Sequence, residues 1–215
     1  LQISEFVEAE KNIYQRLINY QCKDLNEERI VIEQLIETEC FPCIHEVLLV
    51  KLMTDISNHQ IQVEKIKNVV EARRTCAWYE SYSCYYEALY QIALMQKFYL
   101  EHTHGFNEAV PSRLWDNYTK DYYRMDMAYR KFHKAFIKSL KTTHAHFDDL
   151  MKQVAERAEG LYSTWFLENL SECWHKASAG DFEKNGRIKD VQYQTNFYGN
   201  RVSKADSRVF VVISD

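Results

Sequence analysis

Apolar residues recur every three or four positions along most of this chain, the period of helices with one buried face. Ile3, Phe6, Val7, Ile13, Tyr14, Leu17 and Ile18 mark a first helix. Leu25, Ile30, Ile32, Leu35 and Ile36 mark a second, with Asp24 and Glu27 as a capping-box-like start. Pro42 suits the first turn of a third, which carries Ile44, Val47, Leu48, Leu49 and Leu52. Ile61, Val63, Ile66, Val69 and Val70 lead into Trp78, Tyr82, Tyr85, Tyr86, Leu89 and Phe98, with breaks expected around 57–59 and near Ser81. Gly105 is expected to end that section and Pro111 to start the next helix.

The stretch 112–141 is the most regular. Leu114, Tyr118, Tyr122, Met125, Tyr129, Phe132, Phe136 and Leu140 form one continuous stripe, which predicts a single helix with that stripe buried. A last long helix is predicted over 147–176 from Leu150, Met151, Val154, Ala158, Leu161, Tyr162, Trp165, Leu170, Cys173 and Trp174. Gly160 inside it points to a close helix contact or a bend. From 177 to 190 the chain turns polar, which reads as a linker, and 193–202 is a short amphipathic segment.

The pattern then changes. Arg208-Val209-Phe210-Val211-Val212-Ile213-Ser214-Asp215 is a continuous apolar run rich in β-branched residues, the signature of a strand buried on both faces. A lone strand has no partner for its backbone donors and acceptors. The expected fold class is therefore all-α: a mostly antiparallel multi-helix domain over 1–177, a linker over 178–207, and over 208–215 the first strand of a truncated α/β domain. The chain opens on Leu1 and reads as a piece of a longer protein.

Composition supports a helical, well-packed protein. Five Gly and two Pro in 215 residues are too few for a chain of turns and strands, and fifteen Tyr, eleven Phe and four Trp can build a sizeable core. No run is long and apolar enough to span a bilayer, and no signal peptide opens the chain. The net charge of −4 points to no polyanionic partner. Its distribution is uneven. The first fifty residues hold ten Asp and Glu against four Lys and Arg, while 113–141 holds eight Lys and Arg against three Asp. The basic side of helix 112–141 could meet nucleic acid, yet its tyrosines fall on the apolar stripe rather than among the cations, so a solvated face is the simpler reading.

Cys40-Phe41-Pro42-Cys43-Ile44-His45 could contribute thiolates and an imidazole to zinc. It lacks a fourth ligand, and Ile44 breaks the haem-attachment spacing. The favoured expectation is a Pro-initiated helix with buried, reduced cysteines, as in a cytoplasmic protein. His102 with His104, and His144 with His146, flank the basic helix and read as polar loop residues too far apart to share one metal.

The tail carries a family likeness. Asn196-Phe197-Tyr198, a spacer and Arg208-Val209-Phe210-Val211-Val212-Ile213-Ser214-Asp215 resemble the entry to a PglZ domain, found in BREX-type bacterial phage-defence systems and part of the alkaline phosphatase superfamily. Leu161-Tyr162-Ser163-Thr164-Trp165-Phe166-Leu167-Glu168-Asn169-Leu170 resembles the helix that precedes that strand. The resemblance implies a parent protein that hydrolyses phosphate esters with a divalent metal (zinc, magnesium or manganese) and partners from the same defence system. It implies that Asp215, at the carboxyl end of the strand, is a first metal ligand; from the residues alone, a cap on the next helix is the alternative. The nucleophile and remaining ligands are expected beyond residue 215, so the fragment itself is expected to bind no metal or cofactor and to be non-catalytic. A free-standing helical interaction module is the other reading of the same chain.

Overall fold

Pro42 begins the first described helix, where its fixed φ and missing N–H cost nothing. In the computed structural model, which describes residues 36, 42–142, 144–189, 191 and 193–212, helix α1 runs Pro42–Ser57. Next come α2 (Val63–Arg73), α3 (Tyr79–Glu101) and α4 (Pro111–Asn117). A π-helical turn follows at Tyr118–Tyr122, then α5 (Tyr123–Ser139) and α6 (Asp148–Glu159). A second π segment, Gly160–Leu167, leads into α7 (Glu168–Asn185). The described part of the chain is helical and holds no strand, as the all-α reading requires. The two helices expected within the first forty residues lie outside the described residues.

The punctuation follows the expected chemistry. His59 and Gly105 both take positive φ just after helices, and Pro111 sits in the first turn of α4. The break before α3 falls at 74–78 rather than at Ser81, which lies inside the first turn of α3. Trp78 absorbs that turn with φ 70, a conformation a bulky side chain rarely adopts.

The chain divides into two compact units. Among the described residues the first takes 42–105 and 122–169, and the second takes 106–121 and those from 170 onward. In the first unit α3 makes its most extensive contact with α5. α1 and α2 also pack on α3, and α6 packs on α1 and α5. Leu48, Leu49, Met53 and Ile56 of α1, Tyr85, Tyr86, Leu89 and Ile92 of α3, and Met125 and Phe132 of α5 are fully buried there. Each such side chain contributes about 1.5–3 kcal/mol of transfer free energy.

Two π segments interrupt the α-helical period. An extra residue in a turn rotates everything after it by about 100° relative to an uninterrupted helix. The single helix predicted over 112–141 is therefore two α-helices around a π turn. Tyr122 at the end of that turn and Met125, Ala128, Phe132, Ala135 and Ser139 beyond it are buried, while Tyr129 and Phe136 are only half-buried and Leu140 is exposed. The second segment begins at Gly160. A Cβ there would meet nothing within 4 Å, so the close helix contact expected at this glycine is absent, and a π segment starts there instead.

In the second unit the Glu108 backbone N–H points at Cys173 Sγ, 3.4 Å away, and Asn117 Nδ2 donates to Glu108 Oε1 at 3.1 Å. α7 continues eight residues beyond the polar turn expected at 177 and stops at Asn185, where Gly186 takes φ 64 and donates to Phe182 O. Short helical turns occupy Gln194–Asn196 and Tyr198–Val202. From 205 to 212 there is neither helix nor strand. Phe210 is 82% and Val212 91% exposed, so over its described part the expected strand is not formed. The physical reason is the one its sequence raised: no described strand exists for it to pair with. Ile213, Ser214 and Asp215 lie outside the described residues.

Candidate functional site

The first turns of α1, the end of α2 and the start of α3 bring together a polar and aromatic cluster in the first unit. His45 lies one residue past Ile44 on the buried face of α1 and is fully buried. Its Nδ1 is 2.9 Å from the Tyr86 hydroxyl, and its Nε2 is 2.9 Å from both Ala77 O and Arg73 Nη2. A guanidinium only donates. With the proton on Nδ1, Nε2 accepts from Arg73 and Nδ1 donates to Tyr86. With the proton on Nε2, the ring donates to Ala77 O and accepts from Tyr86.

Either tautomer is neutral. Burial pushes the His45 pKa down to about 4, with the Arg73 charge acting in the same direction and the Ala77 hydrogen bond against it. Desolvation likewise holds the Tyr82 and Tyr86 phenols well above the usual tyrosine range; for Tyr82 the hydrogen bond to the Glu46 carboxylate adds to it. Tyr82 Oη donates to Glu46 Oε1 at 2.9 Å, and its ring stacks with both His45 and His144, centroids 5.1 and 4.6 Å away. His146 Nε2 lies 3.9 Å from Glu46 Oε2. Tyr85 closes the edge, its hydroxyl 2.7 Å from Thr142 Oγ1.

Through Tyr82 and Glu46 the cluster thus joins His45 to His144 and His146, residues about a hundred positions away. Period and spacing cannot foresee such a contact, because it depends on how α1 and α3 pack. With His45 held neutral and the Tyr82 and Tyr86 phenols held protonated, the cluster suits a hydrogen-bonded polar seam between helices.

This fixes a pH dependence. The folded pKa of about 4 lies below the ordinary imidazole value of 6.5. Between those values the unfolded chain binds a proton that the folded chain does not. The His45 contribution is therefore complete above pH 6.5 and is lost as pH falls toward 4, on the order of 2 kcal/mol after allowance for screening. Urea unfolding at pH 7.5 and pH 5 should show this loss in the native chain and a smaller one in His45→Asn. An NMR titration placing His45 near 6.5 would overturn it.

The other candidate residues separate. Cys43 is half-buried in the first turn of α1 and is disulfide-bonded, so the expectation of reduced cysteines fails there and no free thiolate is offered from that position. The inward positions of that turn belong to Pro42, Ile44 and His45 instead. Cys40, the other half of the motif, lies outside the described residues. Cys76, Cys84 and Cys173 are free and buried. His102 stacks on Phe98 at 4.1 Å and its Nδ1 contacts Phe98 O, whereas His104 is exposed. Among the described residues no group of three or more His, Cys, Asp and Glu could hold a metal ion, and none of their helices is long and apolar enough to cross a membrane. Asp215 lies outside them.

Among the described residues two openings bear on function. In the second unit Leu114, Trp115, Tyr118, Leu170 and Trp174 line an apolar hollow of about 320 Å³. In the first, a groove of about 400 Å³ between α3 and α5 is lined on the α5 side by Lys131, Lys134 and Lys138.

The chain is similar to two curated proteins. It is 28% identical over 188 residues to the alkaline phosphatase-like protein PglZ of Bacillus cereus (strain H3081.97), covering 86% of this chain and 21% of that protein. It is 26% identical over 191 residues to the alkaline phosphatase-like protein BrxZ of Escherichia coli O9:H4 (strain HS), covering 83% of this chain and 22% of that one. The chain thus spans about a fifth of the length of the relatives it matches. No family model matches it, and no solved structure matches it significantly.

Proposed function

We propose that this chain, which is similar to the PglZ and BrxZ alkaline phosphatase-like proteins, is the helical scaffold and docking region of a metal-dependent, phosphatase-like hydrolase in bacterial phage defence. The observation that carries this reading is the match itself. It runs through most of the helical chain yet takes up only about a fifth of each relative, which leaves ample room for a catalytic domain elsewhere in the parent protein. In this reading 208–215 enters that domain and pairs with strands supplied from beyond residue 215. Pairing of that kind would cover Phe210 and Val212, whose exposure is otherwise unfavourable.

Asp215 would then offer one hard oxygen to zinc, magnesium or manganese, with the other ligands coming from the rest of the parent protein. Such a metal supplies Lewis-acid polarisation of a phosphoryl group. The residues described in this chain hold the helical body rigid and present surfaces to other components of the defence system.

Two measurements test this. The isolated chain, assayed with p-nitrophenyl phosphate over a titration of each metal, is expected to show no turnover; metal-dependent turnover would refute the non-catalytic reading. The parent protein lacking residues 1–177 is expected to keep metal-dependent hydrolysis and lose co-purification with other defence proteins. Retained co-purification would refute the docking role.

A further inference from the structure

The groove between α3 and α5 has two unlike walls. On the α5 side, Lys131, Lys134 and Lys138 are exposed and follow one another at helical spacing, i, i+3 and i+7, covering about 10 Å along the axis. None of the three forms an ion pair with a described carboxylate, although Lys51, Lys67, Lys97, Lys152 and Lys176 all do. On the α3 side the lining residues include Tyr79, Ser83 and Glu87. The Glu87 carboxylate already accepts from Gln91 Nε2 at 2.7 Å. One wall is therefore cationic; the other carries the Tyr79 ring, one face of which stacks on Tyr86 at 5.6 Å, and Ser83, whose hydroxyl donates to Glu80 O and keeps its accepting lone pairs.

A single nucleic-acid strand has the same asymmetry, with phosphates along one edge and flat, hydrogen-bonding bases along the other. An acidic peptide does not, because it would carry carboxylates to both walls and meet Glu87. A space of about 400 Å³ takes a ligand of drug size, roughly one nucleoside with its neighbours trailing along the open ends, and is too small for a duplex. In the sequence the tyrosine stripe and the cations of 112–141 lie on different faces, which argued against a stacking platform on that helix alone. Tertiary packing supplies the missing ring from α3.

We propose that this groove binds single-stranded nucleic acid, its phosphates on Lys131, Lys134 and Lys138 and a base against the Tyr79 wall. The site is independent of the docking reading above, since it needs neither a metal nor a partner protein.

Fluorescence anisotropy with a labelled fifteen-nucleotide oligothymidine tests it on the 215-residue chain. Three phosphate contacts predict that log K falls against log salt with a slope of about −2. Replacing all three lysines by Gln should flatten that slope to near zero and weaken binding at least about tenfold at low salt. Their exposure means that circular dichroism and melting should stay unchanged. Tyr79→Leu should weaken binding about tenfold without changing the slope. Absence of salt-dependent binding, or wild-type binding by the triple variant, would overturn the proposal. So would poly-glutamate competing charge for charge with the oligonucleotide, or a duplex competing better than the single strand.

Discussion

Phe132→Ala is expected to lower the unfolding free energy by about 3–5 kcal/mol, the range for removing a large aromatic from a packed core. Phe132 lies in the middle of α5, the helix with the most extensive contact to α3, and is fully buried. Its neighbours along the buried face, Ala128 and Ala135, are too small to close over the hole. A domain of ordinary stability has about 5–15 kcal/mol in total, so this single change takes away a large fraction. In urea the midpoint should fall sharply with the slope unchanged. Ile137, five residues on and 53% exposed, is the control: Ile137→Ala should stay within about 0.5 kcal/mol of the native chain. Equal effects at the two positions would mean that the register after the π turn at Tyr118–Tyr122 is wrong.

In the parent protein, Asp215→Asn is expected to depress metal affinity and metal-dependent hydrolysis together, on the order of 100-fold or more. Losing even a group that merely supports a ligand costs 10–100-fold. The substitution keeps size and shape and removes the anionic oxygen that a divalent cation requires. Stability without metal should be nearly unchanged, because the helical core rests on residues such as Leu48, Tyr86 and Phe132. Calorimetric titration of the metal and melting of the metal-free protein read the two effects separately. Native metal affinity would remove Asp215 as a ligand, and a collapse in metal-free stability would assign it to capping the next helix.

These two residues mark opposite ends of what could be read ahead of the structure. At Phe132 the helical period alone predicted burial, and the core bears it out. At Asp215 the argument rested on the likeness of the Arg208–Asp215 run to a PglZ entry. The two relatives support that recognition, and the residue's own role stays with the experiment.

The sequence by itself determined the helical class, the starts at Pro42 and Pro111, and the stop at Gly105. These are local effects of fixed φ, missing N–H groups and permissive backbone, and they need no neighbour. Only the tertiary structure decided the rest. Period analysis assumes 3.6 residues per turn throughout, so it could not see the π turn at Tyr118–Tyr122 that divides the stripe between two α-helices. It could not join His45 to His144, or set Lys134 across a groove from Tyr79, because those pairs are held by packing between helices distant in the chain. A helical stripe says that a face is buried; which partner buries it is a property of the whole packed unit.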